Sequence, residues 1–311
     1  MKGGFIMTIK RKLITELEYL TSRTNDITKN LIILNKEGEI LNNDDVNMAI
    51  ASLIKSDNVV KVGNGVEYAK IKKANGLINE IGGSYFHMMY GNILNADLKE
   101  NYAIRFLLLC THLDYENNLV VGQTKDRKIM KEADLEHILK LSPRETLNTK
   151  NYLVKNKLIT IKNGVIKVNK DFAIKGKVKN KSKLDYSRVF EEGFKDLYYG
   201  VSPSQHKNLY FFIKCLPYLN NKFNILCENP TEKDKNLIKP LTFNDLGEIF
   251  GFSKDKIKRL RVNLFKLKIK DKKVIAELVN LRERRIVVNP AIFYKSNSEC
   301  ISDVAKIFET L

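Results

Sequence analysis

The chain has 311 residues, 43% of them hydrophobic, and sets 54 Lys and Arg against 36 Asp and Glu for a formal net charge of +18. This length asks for two or three domains, the apolar content excludes a disordered basic tail, and the charge favours a polyanionic partner, which a basic surface binds by releasing counterions. No apolar stretch is long enough for a membrane span and Met1 to Arg11 lacks the apolar region of a secretory signal, so the reading is a soluble, cytoplasmic protein without a membrane partner.

Residues 1–95 read as an N-terminal α/β segment. It has an amphipathic stretch from Ile9 to Tyr19, a strand at Leu31 to Leu34 and a helix from Asp44 to Lys55 that Asn43 can cap. Val59 to Val62 and Val66 to Lys72 flank Asn64-Gly65, a pair that accepts the positive φ angles of a two-residue hairpin turn. The segment suits dimerisation or a degenerate winged helix.

From residue 96 the pattern sharpens. An apolar helix from Tyr102 to Leu113 is followed by a strand at Leu119 to Val121, a helix around Glu132 to Leu139, a turn at Lys140-Leu141 and a helix from Pro143 to Asn156. Ser142, Pro143 and Glu145 have the spacing of a capping box with proline at the first helical position. Leu158 to Lys162 and Val165 to Val168, joined by Asn163-Gly164, then form a hairpin. Helix, strand, helix, turn, helix and hairpin is the winged-helix order, and it predicts a first such domain over 96–175.

Residues 176–204 read as a basic linker. Lysine stands at every second position from Lys175 to Lys183, either laid along phosphates or simply solvated. After it the pattern returns: Asp134-Leu135, Ile138, Leu141 and Ser142 recur as Asp245-Leu246, Ile249, Phe252 and Ser253. The second copy, over 205–295, predicts a helix from Leu209 to Leu219, a strand at Phe223 to Cys227, a helix from Thr242 to Phe250 capped by Thr242, and a third helix from Ser253 to Leu267. Its hairpin runs through Val274 to Leu281 and Arg284 to Val288, and 296–311 closes the chain as a C-terminal helix. The fold class is therefore α+β, mainly helical, with two tandem helix-turn-helix domains of winged type behind the N-terminal segment.

In such a unit the helix after the turn is free to enter a major groove of DNA. Counted from the capping serine, one stripe of each such helix should face the core: Thr146, Thr149 and Leu153, then Ile257, Leu260 and Leu264. The opposite stripes present Arg144, Leu147, Asn148, Asn151 and Lys155, then Asp255, Lys258, Arg259, Val262 and Lys266. Arg suits guanine, Asn suits adenine, and Leu or Val can touch a thymine methyl. Lys162, Asn163, Lys254, Lys270 and Arg284, at helix ends and hairpin tips, complete the candidate DNA contacts, chiefly to phosphates.

Catalytic signals are weak, and the expectation is a non-enzyme without cofactor or metal. His87, His112, His137 and His206 make no H-x-H pair, and Gly247 to Lys254 lacks the spacing of a phosphate loop. Asp44-Asp45 and Glu132, Asp134 and Glu136 suit helix starts better than a metal site, and Cys110, Cys215, Cys227 and Cys300 form no C-x-x-C pair.

The stretches Asp134 to Phe172, with LSPRETLNTKNYLVKNKLITIKNGVIKVN, and Leu209 to Phe293, with LTFNDLGEIFGFSKDKIKRL and RIVVNPAIF, cover roughly half the chain. On them the chain resembles the winged-helix replication initiators of low-GC Gram-positive plasmids and phages, and in its tandem arrangement the iteron-binding initiators. The resemblance implies binding to directly repeated origin sites, opening of adjacent AT-rich DNA and recruitment of host replication proteins, with no cofactor. The rival reading is a transcription regulator of a mobile element, acting as a homodimer or through a sensing N-terminal segment.

Overall fold

The computed structural model describes residues 73–122, 126–178, 185–279, 283–296 and 298–310. The chain divides into the units Met1–Lys73 and Ala74–Leu311. The elements expected before residue 73, most of the lysine run and the tip of the second hairpin lie outside the described residues. The second unit is mixed α/β with short antiparallel strands, and no helix among the described residues is long and apolar enough to cross a membrane.

After α1 (73–82), one set of elements runs β1 (Tyr85–Met88), α2 (Tyr90–Asn95), α3 (Glu100–Cys110), β2 (Val120–Val121), β3 (Lys128–Ile129), α4 (Asp134–Leu139), α5 (Pro143–Lys155), β4 (Ile159–Lys162), β5 (Val165–Val168) and β6 (Ala173–Ile174). The order then recurs: β7 (Ser187–Phe190), α6 (Glu191–Tyr199), α7 (His206–Cys215), α8 (Phe243–Ile249), α9 (Lys254–Lys266), a small hairpin β8 (Lys268–Ile269) and β9 (Lys272–Lys273), then β10 (Ile275–Val279), β11 (Arg284–Val288) and β12 (Phe293–Tyr294). α10 (Cys300–Ile307) follows, and its Val304, with Phe308 just after it, packs with Ala276 and Val287 of the second hairpin.

The repetition reaches individual hydrogen bonds. Asn117 and Asn224, both fully buried, adopt left-handed backbone at φ 67 and 52, where a short amide side chain offsets part of the steric cost. Asn117 Nδ2 donates to Val168 O at 3.3 Å and Ala173 O at 2.7 Å, and Asn224 Nδ2 to Val288 O at 3.2 Å and Phe293 O at 2.7 Å. Each amide thereby satisfies two buried carbonyls where a hairpin returns to the sheet. Asn169 and Asn289 likewise donate to Lys157 O and Lys273 O, and each accepts from the backbone N–H two residues on.

The two copies meet in one four-stranded sheet of order β12-β7-β1-β6. β1 and β7 pair antiparallel with His87 opposite Arg188, Phe86 opposite Val189 and Met88 opposite Ser187. Each also pairs with the last strand of its own copy, Met88 with Ala173 and Val189 with Phe293. These registers make His87 and Arg188 equivalent residues, so a local two-fold axis passes between them. α3 packs against its counterpart α7, and one apolar core runs through both copies, from Leu153 and Ile166 to Leu264 and Ile286.

Three expectations change. The stretch 176–204 is not wholly linker, because β7 and α6 lie in it, and the first copy begins at β1 rather than at residue 96. β7 is buried throughout and β1 nearly so, and strands buried on both faces lack the alternation that marks a half-exposed strand. Phe223 to Cys227 makes only isolated bridges, from Leu226 to Leu219, Ile225 to Val287 and Cys227 to Pro240.

Candidate nucleic-acid interface

α5 and α9 start alike. Ser142 Oγ accepts from Glu145 N and Ser253 Oγ from Lys256 N, both at 3.3 Å, and Pro143 needs no amide partner at the first position. The turns before them place Lys140 and Gly251 at equivalent positions with φ 48 and 63. Glycine adopts that conformation without strain. The lysine is held there from the second copy: Tyr199 stacks under its ammonium at 4.2 Å and donates to Ile138 O, while Tyr198 donates to Leu139 O.

The expected first capping box is incomplete. Glu145 turns away from Ser142 to accept from Arg105 of α3 at 2.9 Å, and Arg105 also donates to Thr149 at 3.0 Å. A buried guanidinium attracts the carboxylate more strongly than one exposed amide can. The complete box lies instead on α8, where Thr242 and Asp245 cap each other. His206 packs against Tyr198, with ring centroids 3.9 Å apart. Burial, with the nearby charge of Arg105, pushes its pKa down to about 4.

The core-facing stripes are buried as expected: Thr146, Thr149 and Leu153 on α5, and Ile257, Leu260 and Leu264 on α9. All twelve candidate contact residues are exposed. Arg144, Asn148, Asn151 and Lys155 line the outer face of α5, with Lys162 and Asn163 at the β4–β5 tip. Asn163 and Gly164 adopt the left-handed conformations of a tight hairpin turn, at φ 51 and 74. Lys254, Lys258, Arg259 and Lys266 lie on α9, Lys270 at the β8–β9 turn and Arg284 on β11. Leu147 and Val262 on the same outer faces are about half exposed, at 51% and 48%.

Lys150, Arg261 and Glu277 of this surface were not singled out by sequence. Glu277 of β10 receives Arg261 of α9 and lies 3.8 Å from Arg284, which ties the second hairpin to its helix. Lys150 of α5 pairs instead with Glu132, at 2.6 Å. Only the charge of these residues was legible, since each pairing depends on a partner far along the chain.

Two adjoining clefts occupy the surface between α5 and α9. The larger, ≈ 670 Å³, is lined by Lys99, Arg105, Glu145, Ser204 and Lys207 among others, and the smaller, ≈ 300 Å³, by Lys214, Lys256, Arg259 and Asn263 among others. Glu100 and Lys207 line both, so the two helices open onto one continuous face. No family model, curated protein or solved structure matches the chain.

Proposed function

We propose that the chain is a sequence-specific double-stranded DNA-binding protein whose two copies are winged helices, and that it serves as a plasmid or phage replication initiator at origin repeats. The observation that carries the DNA reading is the pair of capped helices, α5 and α9, with exposed polar and cationic outer faces flanking one shared surface. Arg144, Asn148, Lys258 and Arg259 would read base edges, while Lys155, Lys162, Lys266 and Lys270 would hold phosphates. The local two-fold axis adds a geometric requirement: each bound site should contain two half-sites in opposite orientation, and an array would repeat that whole site directly.

The same axis also suits an operator, which keeps the transcription-regulator reading as the second one. Selection of bound duplexes from a random pool, followed by footprinting, tests DNA binding: the expected result is protection of two successive major grooves about 10 base pairs apart. Uniform weak binding to every duplex would refute sequence specificity. Placing the gene and its flanking DNA on a vector without another origin then separates the two readings. Maintenance of the vector supports the initiator, whereas failure of maintenance together with altered transcription from a nearby promoter on deletion replaces it with the regulator.

A further inference from the structure

The trough between α5 and α9 is more than a gap between two readers. Six cations line it: Lys99, Arg105 and Lys207 in the larger cleft, with Lys214, Lys256 and Arg259 in the smaller, where Lys207 recurs. Two carboxylates oppose them, and both are engaged: Glu145 takes Arg105 at 2.9 Å and Glu100 takes Lys214 at 3.4 Å. Lys99, Lys207, Lys256 and Arg259 have no carboxylate partner among the described residues. Arg105 is 3% exposed, and its Nε has no hydrogen-bond partner among those residues.

The placement of these charges follows from the duplication. Lys99 is the N-cap of α3 and Lys207 lies in the first turn of α7, so the positive ends of the two equivalent helices converge on one cleft. A duplex that offers two successive major grooves to α5 and α9 presents its minor groove, bordered by two phosphate strands, to whatever lies between them. Resting on the DNA-binding reading above, we infer that this trough receives the sugar-phosphate backbone at the centre of the site, with Lys99 and Lys207 meeting the central phosphates. These contacts carry no base information. They fix the spacing of the half-sites, because a backbone seated between the helices leaves each reader one place to land.

The test uses the full chain and its selected duplex, with uncharged methylphosphonates in place of the central phosphates or, as a control, of phosphates outside the site. Central neutralisation should weaken wild-type binding about tenfold, and control neutralisation should not. Replacing both lysines, K99A with K207A, should lower the slope of log affinity against log salt by nearly two, at about 0.9 per lost phosphate contact, and abolish the response to central methylphosphonates. Both side chains are exposed, and a K99Q and K207Q pair with an unchanged circular dichroism spectrum guards against misfolding. An unchanged salt slope, or equal sensitivity of wild type and variant to central neutralisation, overturns the inference while leaving DNA binding intact. Failure of the wild type to bind any duplex overturns the function reading itself.

Discussion

Arg105 and Phe211 lie on the paired helices α3 and α7, and Arg105 bonds directly to the outer helix of its copy. Phe211 packs with Phe243 and Phe250, and the buried stripe of α9 is wholly apolar: Ile257, Leu260 and Leu264. Arg105 instead meets Glu145 and Thr149, which gives Thr149 a polar partner on the core-facing stripe of α5. The pair is lopsided: the Arg105 side chain is 4% exposed and that of Glu145 47%. Removing Glu145 strands a buried cation, while removing Arg105 leaves a carboxylate that water can reach. Glu145→Ala should therefore cost about 3 kcal/mol in urea unfolding and Arg105→Leu clearly less. The reverse order would mean that Arg105 is solvated after all.

At the level of elements, what was legible followed from local chemistry. The serine caps, the Asn163-Gly164 turn and the buried stripes each depend on residues a few positions apart, and all appear as the spacing predicts. Glu145 departs from its expected cap because its partner Arg105 is 40 residues away, and β1, β7 and the Asn117 and Asn224 bridges were missed for the same reason: each exists only through distant pairing. On the proposed DNA reading, the outer faces of α5 and α9 carry residues of two kinds, which substitution should separate. Arg144→Ala or Lys258→Ala should cost on the order of 1 to 3 kcal/mol on the selected site and less on random DNA, because base-edge contacts are lost. Lys266→Ala should weaken both equally and lower the salt slope by about 0.9. Electrophoretic shift titrations at several salt concentrations measure both quantities, and equal losses on the two DNAs for Arg144→Ala would show that another face of α5 is the reader.

For the molecule between residues 74 and 311, the duplication has produced one folding body rather than two beads. β1 and β7 share a sheet, α3 and α7 share a core, and Tyr198 and Tyr199 of the second copy bond the last carbonyls of α4 in the first. Lys175 at the end of the first copy is ion-paired with Glu191 at the start of α6, both nearly buried. The geometry of the proposed readers depends on this fusion, since a rigid core fixes the separation and orientation of α5 and α9. Such a core should open as a unit. Leu108 in α3 is fully buried, and Leu108→Ala should cost about 2 to 5 kcal/mol, the usual range for a core truncation. In native-state hydrogen exchange that loss should appear equally in the amides of α3 and in those of Phe211 to Ile213 in α7. Undiminished protection of α7 in the Leu108→Ala protein would show that the copies unfold independently, and the spacing of the two readers could then not be fixed by their shared core.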